Sequence, residues 1–224
     1  MKLELTIPES LSDIKLGDYQ RFYSEIEEYK QKNIIVRKVN ELFNDSEEVF
    51  ISKKMVSIFC GIDENLVGKI PLKEFEETVL TINKILESNN KLRPKFKLNG
   101  VTYGFVTKLD SITLAEFVDV DKYVGSTEQL HRAMGVLFRP ITHEVTGGMY
   151  LIEDYKGSNH LCDIMLDCRM DIVAGMLVFF WTLGKELVTH TLSCSEEGQE
   201  EDSQITQLKQ TLELSGGGIN QFMH

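Results

Sequence analysis

The spacing of apolar side chains changes near residue 95, and that change limits the chain to a mixed helix-and-sheet fold. From Leu16 onward the apolar residues recur at three and four, with Leu16, Tyr19, Phe22, Tyr23 and Ile26 on one helical face. A second stretch of this kind covers 34–43. A third runs through Lys53, Val56, Ile58, Phe59 and Cys60 and stops near Gly61, a natural helix end. After Pro71, which suits the first turn of a helix, Phe75, Val79, Ile82, Ile85 and Leu86 form a strong stripe. The period then falls to two. Between Phe96 and Phe105, the pair Asn99-Gly100 divides two alternating segments, the strongest short-range hairpin signal, because both turn residues must take positive φ. A second β region is expected around Gly147-Gly148, with Ile141–Val145 on one side and Met149–Ile152 on the other. Helical patterns occupy 113–123, 126–138 and 169–193. Leu3, Leu5 and Ile7 read as a short strand stopped by Pro8.

These patterns predict an α+β fold that is mainly helical, with two small antiparallel β regions and a long buried helix near the C-terminus. Residues 1–195 read as a single α+β domain, with a helical part at 16–90 and a mixed part at 91–195. A total of 224 residues is enough for a sizeable core. Residues 196–224 read as an acidic linker and a Gly-rich tail. Glu196, Glu197, Glu200, Glu201 and Asp202 follow one another with no intervening cation, and Ile205, Leu208 and Leu212 then share a short helical pattern. Such a tail buries little by itself: it either stays free in solvent or docks on another chain, and its length slightly favours docking.

Composition narrows the function. The net charge is −11, from 35 acidic against 24 Lys and Arg side chains. That balance argues against specific nucleic-acid recognition, which draws affinity from clustered cations. The most apolar stretch, Ile172–Leu183, falls well short of the roughly 20 residues needed to cross a membrane, so no membrane partner is expected. The first residues hold no apolar run of signal-peptide length, and the scattered Cys60, Cys162, Cys168 and Cys194 read as reduced core thiols of a cytoplasmically folded chain.

Motifs for catalysis and metal binding give no positive signal. His143-Glu144 lacks the second His of a metalloprotease helix, and the pairs His160/Cys162 and His190/Cys194 do not form the converging set that a structural zinc requires. Gly216-Gly217-Gly218 and Gly147-Gly148 open no helix with the Lys-Ser/Thr pair of a nucleotide loop. The chain is therefore expected to be non-catalytic, with no cofactor and no metal. One rival stays open, an enzyme or host-modulating factor whose site carries no recognisable motif.

Two local features remain. Leu11–Tyr19 and Leu109–Phe117 share one template: Leu, two small polar residues, Ile, a polar residue, Leu, a small residue, an acid and an aromatic. In the second copy Thr113 and Glu116 have capping-box spacing, with Ile112 and Phe117 placed as a hydrophobic staple, and both copies are expected to be tight β-to-α corners. Further on, Leu130, Met134, Leu137 and Phe138 make a core-facing stripe, Pro140 is expected to stop the helix, and Arg139 to sit at its C-terminal end. Arg132 and Arg139 are candidates for pairing with carboxylates of a neighbouring subunit, the other reading being an intrachain pair or a free surface charge. Phe222 is the candidate subunit contact in the tail.

The segments Leu109–Asp119, Leu130–Ile141 and Tyr150–Tyr155, with the opening Ile7–Gln20, resemble small structural or assembly proteins encoded among the head–tail genes of crAss-like and related tailed bacteriophages of Bacteroidetes. The likeness covers roughly 7–194, although Ala115 stands where Gly17 stands in the first copy. It implies a non-catalytic virion protein of the neck or tail, a homo-oligomeric ring subunit that joins the portal to the tail and contacts other neck–tail proteins. The alternative it leaves is a tail-assembly chaperone or scaffold that does not stay in the mature particle. In a ring, outward or lumen-facing carboxylates would repel DNA.

Overall fold

The computed structural model of the chain describes residues 5–36, 47–106, 112–145 and 148–195. The architecture is α+β: mostly helical, with one four-stranded antiparallel sheet. In the first half, α1 (Leu16–Val36), α2 (Glu47–Phe59), α3 (Glu64–Val67) and α4 (Leu72–Leu86) pack together. Phe22 and Ile26 of α1 meet Met55, Val56 and Ile58 of α2 and Ile82 of α4 in a small core, so the predicted three-and-four stripes are the ones that become buried. Gly61 ends α2 with φ +65°, and the Asp63 carboxylate caps α3 by accepting from Asn65 N at 2.8 Å. The expected second helix at 34–43 is met only as the end of α1, and 37–46 lie outside the described residues.

The sheet comprises β1 (Lys95–Leu98), β2 (Val101–Phe105), β3 (Phe138–Glu144) and β4 (Tyr150–Ile152), in the order β1-β2-β3-β4. The two predicted β regions are thus parts of one sheet. Asn99 (φ 48°) and Gly100 (φ 82°) make the hairpin turn, with Leu98 opposite Val101. A register shift between Ile141 and His143 bends β3, and the sheet folds back so that Tyr150 lies over Gly104. Its hydroxyl then donates to the carbonyls of Pro94 (3.0 Å) and Phe105 (2.9 Å). A Cβ at Gly104 would sit 2.3 Å from the Tyr150 ring, so only glycine allows this closure.

Between β2 and β3 come α5 (Leu114–Val124), a 3-10 turn (Thr127–Gln129) and α6 (Leu130–Leu137); after β4 come α7 (Cys162–Met165) and α8 (Met170–Ser195). The main core joins Met134, Val136 and Leu137 of α6, Phe105 and Phe138 of the sheet, and Ile172, Val173 and Met176 of α8. Phe59 and Leu86 touch both cores, which makes the packing continuous. Helix α8 is buried from Met170 to Met176, half-buried over 177–180 and exposed at Trp181 and Thr182, and its side chains beyond Thr182 lie outside the described residues. Gly175 lets it press onto the irregular segment that leads into β1, since a Cβ there would lie 2.4 Å from Lys91 O.

Several local expectations are corrected. Leu5–Pro8 form no strand; Leu5 instead packs against the small helical core, and none of the four strands pairs with this segment. Pro140 does not stop α6. The helix ends at Leu137 because Phe138, fully buried among Phe96 and Phe105, and Arg139 are drawn into β3 opposite Phe105 and Gly104. Pro140 then lies inside β3, its carbonyl accepting from Glu153 N at 2.9 Å just beyond β4. The two template copies also differ where both are described, Leu109–Ser111 lying outside the described residues. In the first, the Asp13 carboxylate accepts from the amides of Glu9 and Ser10 (3.0 Å each) around a 3-10 turn, and Lys15 then bridges Arg169 before α1 begins. In the second, Thr113 and Glu116 form the predicted capping box, but Phe117 is 56 % exposed and leaves most of its ring in solvent.

Candidate functional site

The richest polar cluster lies where α5 meets β3 and the segment after β4. Glu116 accepts from the Thr113 amide at 2.6 Å and from its hydroxyl at 2.7 Å, and pairs with Arg139 Nη2 at 2.6 Å. Both charged side chains are buried, at 6 % and 9 % exposure. Burial alone would raise the Glu116 carboxyl, but Thr113 and Arg139 together hold it below the ordinary glutamate range. Arg139 stacks on the Tyr155 ring, whose hydroxyl donates to Asp119, and its own Nε has no hydrogen-bond partner. Burial and the Asp119 carboxylate push the Tyr155 phenol well above its usual value. Nearby, Tyr123 pairs with Ser158, and Arg132 donates to Asn159 while lying over the Tyr123 ring.

This geometry settles the two arginines differently. Arg139 is an internal group paired with Glu116, so the expectation that it pairs with a neighbouring subunit's carboxylate gives way to the intrachain reading. Its place in β3 is the reason, since that strand turns the guanidinium toward the start of α5. Arg132 is only half-buried, donates to Asn159 and lies over the Tyr123 ring. Phe222 lies outside the described residues.

Other polar groups are tied into packing as well. Asp171, buried in the first turn of α8, takes Arg169 Nε at 2.9 Å and Arg93 Nη1 at 3.2 Å. Gln20 links α1 to Thr127 O (2.7 Å) and to His131 Nδ1 (3.1 Å), and burial together with nearby Arg132 lowers the pKa of that imidazole. Burial pushes the Cys60 thiol up to about 11 and Cys168 to about 12, so both are weak nucleophiles at neutral pH. Among the described residues no three His, Cys, Asp or Glu side chains converge on a metal position, and no helix is long and apolar enough to cross a membrane. An open depression of about 480 Å³ at the end of α2 is lined by Asp18, Arg21, Ser57 and Cys60.

The surface carries two features that the sequence reading did not single out. On α5, Leu114 (80 % exposed), Phe117 (56 %) and Val118 (53 %) line one face in water. Their i, i+3, i+4 spacing lies within the helical pattern expected over 113–123, in which only Phe117 has an expected role, as part of a hydrophobic staple. At the sheet edge, Lys91, Arg93, Lys95 and Lys97 fall close together without an intervening acid. No family model matches this sequence, and no curated protein and no solved structure matches it.

Proposed function

We propose that the chain is a non-catalytic virion subunit of a tailed bacteriophage, one protomer of a neck or tail ring that joins the portal to the tail. The observation that carries this reading is the α5 face formed by Leu114, Phe117 and Val118, which an isolated copy leaves in water and a neighbouring protein would cover. The buried Glu116–Arg139 pair behind it fixes the helix that presents those side chains. The resemblance to head–tail proteins supplies the biological context, and heterologous contacts that close by rotation would build the ring.

The test is the mass of the purified full chain in solution, alone and with portal protein, together with its copy number in purified virions. A discrete closed oligomer present at fixed copy number in the particle supports the reading. An oligomer that is missing from mature virions points instead to an assembly chaperone or scaffold. A strict monomer that ignores portal protein sinks the subunit role.

A further inference from the structure

The segment Lys91–Lys97 holds four cations and no acid, the densest basic run in a chain whose net charge is −11. It runs into β1, which is terminal in the strand order and so forms an edge of the sheet. Arg93 reaches Asp171 and Lys95 reaches Glu144, whereas Lys91 and Lys97 are exposed and have no ion-pair partner among the described residues. The Pro94 carbonyl turns toward β2, where it accepts from Phe105 N at 2.8 Å. By strand alternation, Lys95 and Lys97 then direct their backbone amides away from β2. Outward amides beside ammonium groups suit carboxylates.

One segment of this chain has the complementary chemistry. Glu196–Asp202 carries five carboxylates and no cation, nearly half of the whole surplus of 11 negative charges. The remainder of the chain is still acidic, so attraction for this segment needs a local excess of cations. We infer that the β1 edge of one copy is the docking site for the acidic segment Glu196–Asp202 of a second copy. The direction of α8 favours a second copy as donor. Gly175 seats against Lys91, and Ser195 lies about 20 residues farther on, ~30 Å along the helix axis. Seven extended residues reach only ~24 Å, so the segment of the same chain falls short of lying along Lys91. Lysines on an edge strand ordinarily keep other sheets away; here they also select an acidic partner.

The inference deepens the proposed subunit role and rests on it. To test it, full-length copies, half of them labelled with heavy nitrogen, are mixed, treated with a zero-length carbodiimide cross-linker and read by mass spectrometry. The expected links join Lys91 or Lys97 to Glu196–Asp202 and carry one labelled and one unlabelled peptide. By sedimentation at low salt, K91E/K97E should self-associate about tenfold more weakly, since each exposed ion pair contributes modestly. Adding E196K/E200K/E201K to that variant should restore association, with circular dichroism confirming the fold throughout. Links confined to one label, or association indifferent to both charge reversals, overturn the inference and leave the subunit role standing. A full chain that remains monomeric under every condition overturns both.

Discussion

Glu116→Gln isolates the charge at the α5–β3 corner, because Gln at this position still completes a capping box with Thr113. What it leaves behind is Arg139, 9 % exposed, with its only ion-pair partner among the described residues neutralised and its Nε already without an acceptor. Removing one member of a buried pair costs about 3–5 kcal/mol, a large share of the roughly 5–15 kcal/mol that holds a typical domain together. Arg139→Met is milder at about 1–2 kcal/mol, since Thr113 continues to donate twice to the Glu116 carboxylate. The double variant Glu116→Gln/Arg139→Met should therefore be more stable than Glu116→Gln alone. Equilibrium urea unfolding followed by circular dichroism reads this directly, with the Glu116→Gln midpoint falling by roughly 1.5–2.5 M for ordinary m-values. The pH dependence has a definite sign. The folded pKa of Glu116 is depressed, so its stabilisation is complete above its ordinary 4.5 and is lost as pH falls through the lower folded value. Asp13, Glu25, Glu153 and Asp167 are lowered too, so Glu116→Gln flattens the acid limb without abolishing it. A Glu116→Gln loss below about 0.5 kcal/mol, or strictly additive losses in the double variant, would refute the assignment of a buried, coupled pair.

Gly175→Ala should cost about 2 kcal/mol and lower the melting midpoint by roughly 5 °C, because its Cβ would lie 2.4 Å from a backbone oxygen that cannot swing aside. Leu114→Ser/Phe117→Ser should change stability by no more than about 1 kcal/mol, since both side chains are exposed, and yet weaken self-association at least ~tenfold in sedimentation. With their thiols pushed up to about 11 and about 12, Cys60 and Cys168 should react slowly with a disulfide reagent at pH 8 and rapidly once urea unfolds the chain. Equal rates in the two states would show that the thiols are not shielded.

Much of the fold was legible because it is encoded locally. The Asn99-Gly100 turn, the stop at Gly61 and the Thr113/Glu116 capping box each depend on residues within a few positions of one another. What failed depends on partners far along the chain. Pro140 looked like a helix stop, but pairing of Phe138 and Arg139 with β2 had already ended α6. The repeated template concealed two different constructions. Gly17 lies in the first turn of α1, where its amide donates to Leu166 O at 2.8 Å and a Cβ would sit 3.2 Å from that oxygen. Ala115 occupies the matching place on the exposed side of α5 and meets no such limit. The candidate surface was hidden for another reason. An apolar helical stripe looks the same in sequence whether it faces a core or solvent, and α5 uses Val120 and Tyr123 for the core while Leu114, Phe117 and Val118 face out.

The two exposed features are suited to different steps of association. Opposite charges act over about a Debye length, ~8 Å at physiological salt, and mainly raise the rate at which partners meet. Apolar contact forms only at close range, excludes water, and mainly sets how long partners stay together. On the proposed reading, the basic β1 edge would therefore govern encounter and the α5 face persistence. Raising salt should slow association of copies with little change in dissociation, and Leu114→Ser/Phe117→Ser should do the reverse. Stopped-flow association and dilution-induced dissociation separate the two rates. If salt and the α5 substitutions alter the same rate constant, the two surfaces are not acting as independent parts of one interface.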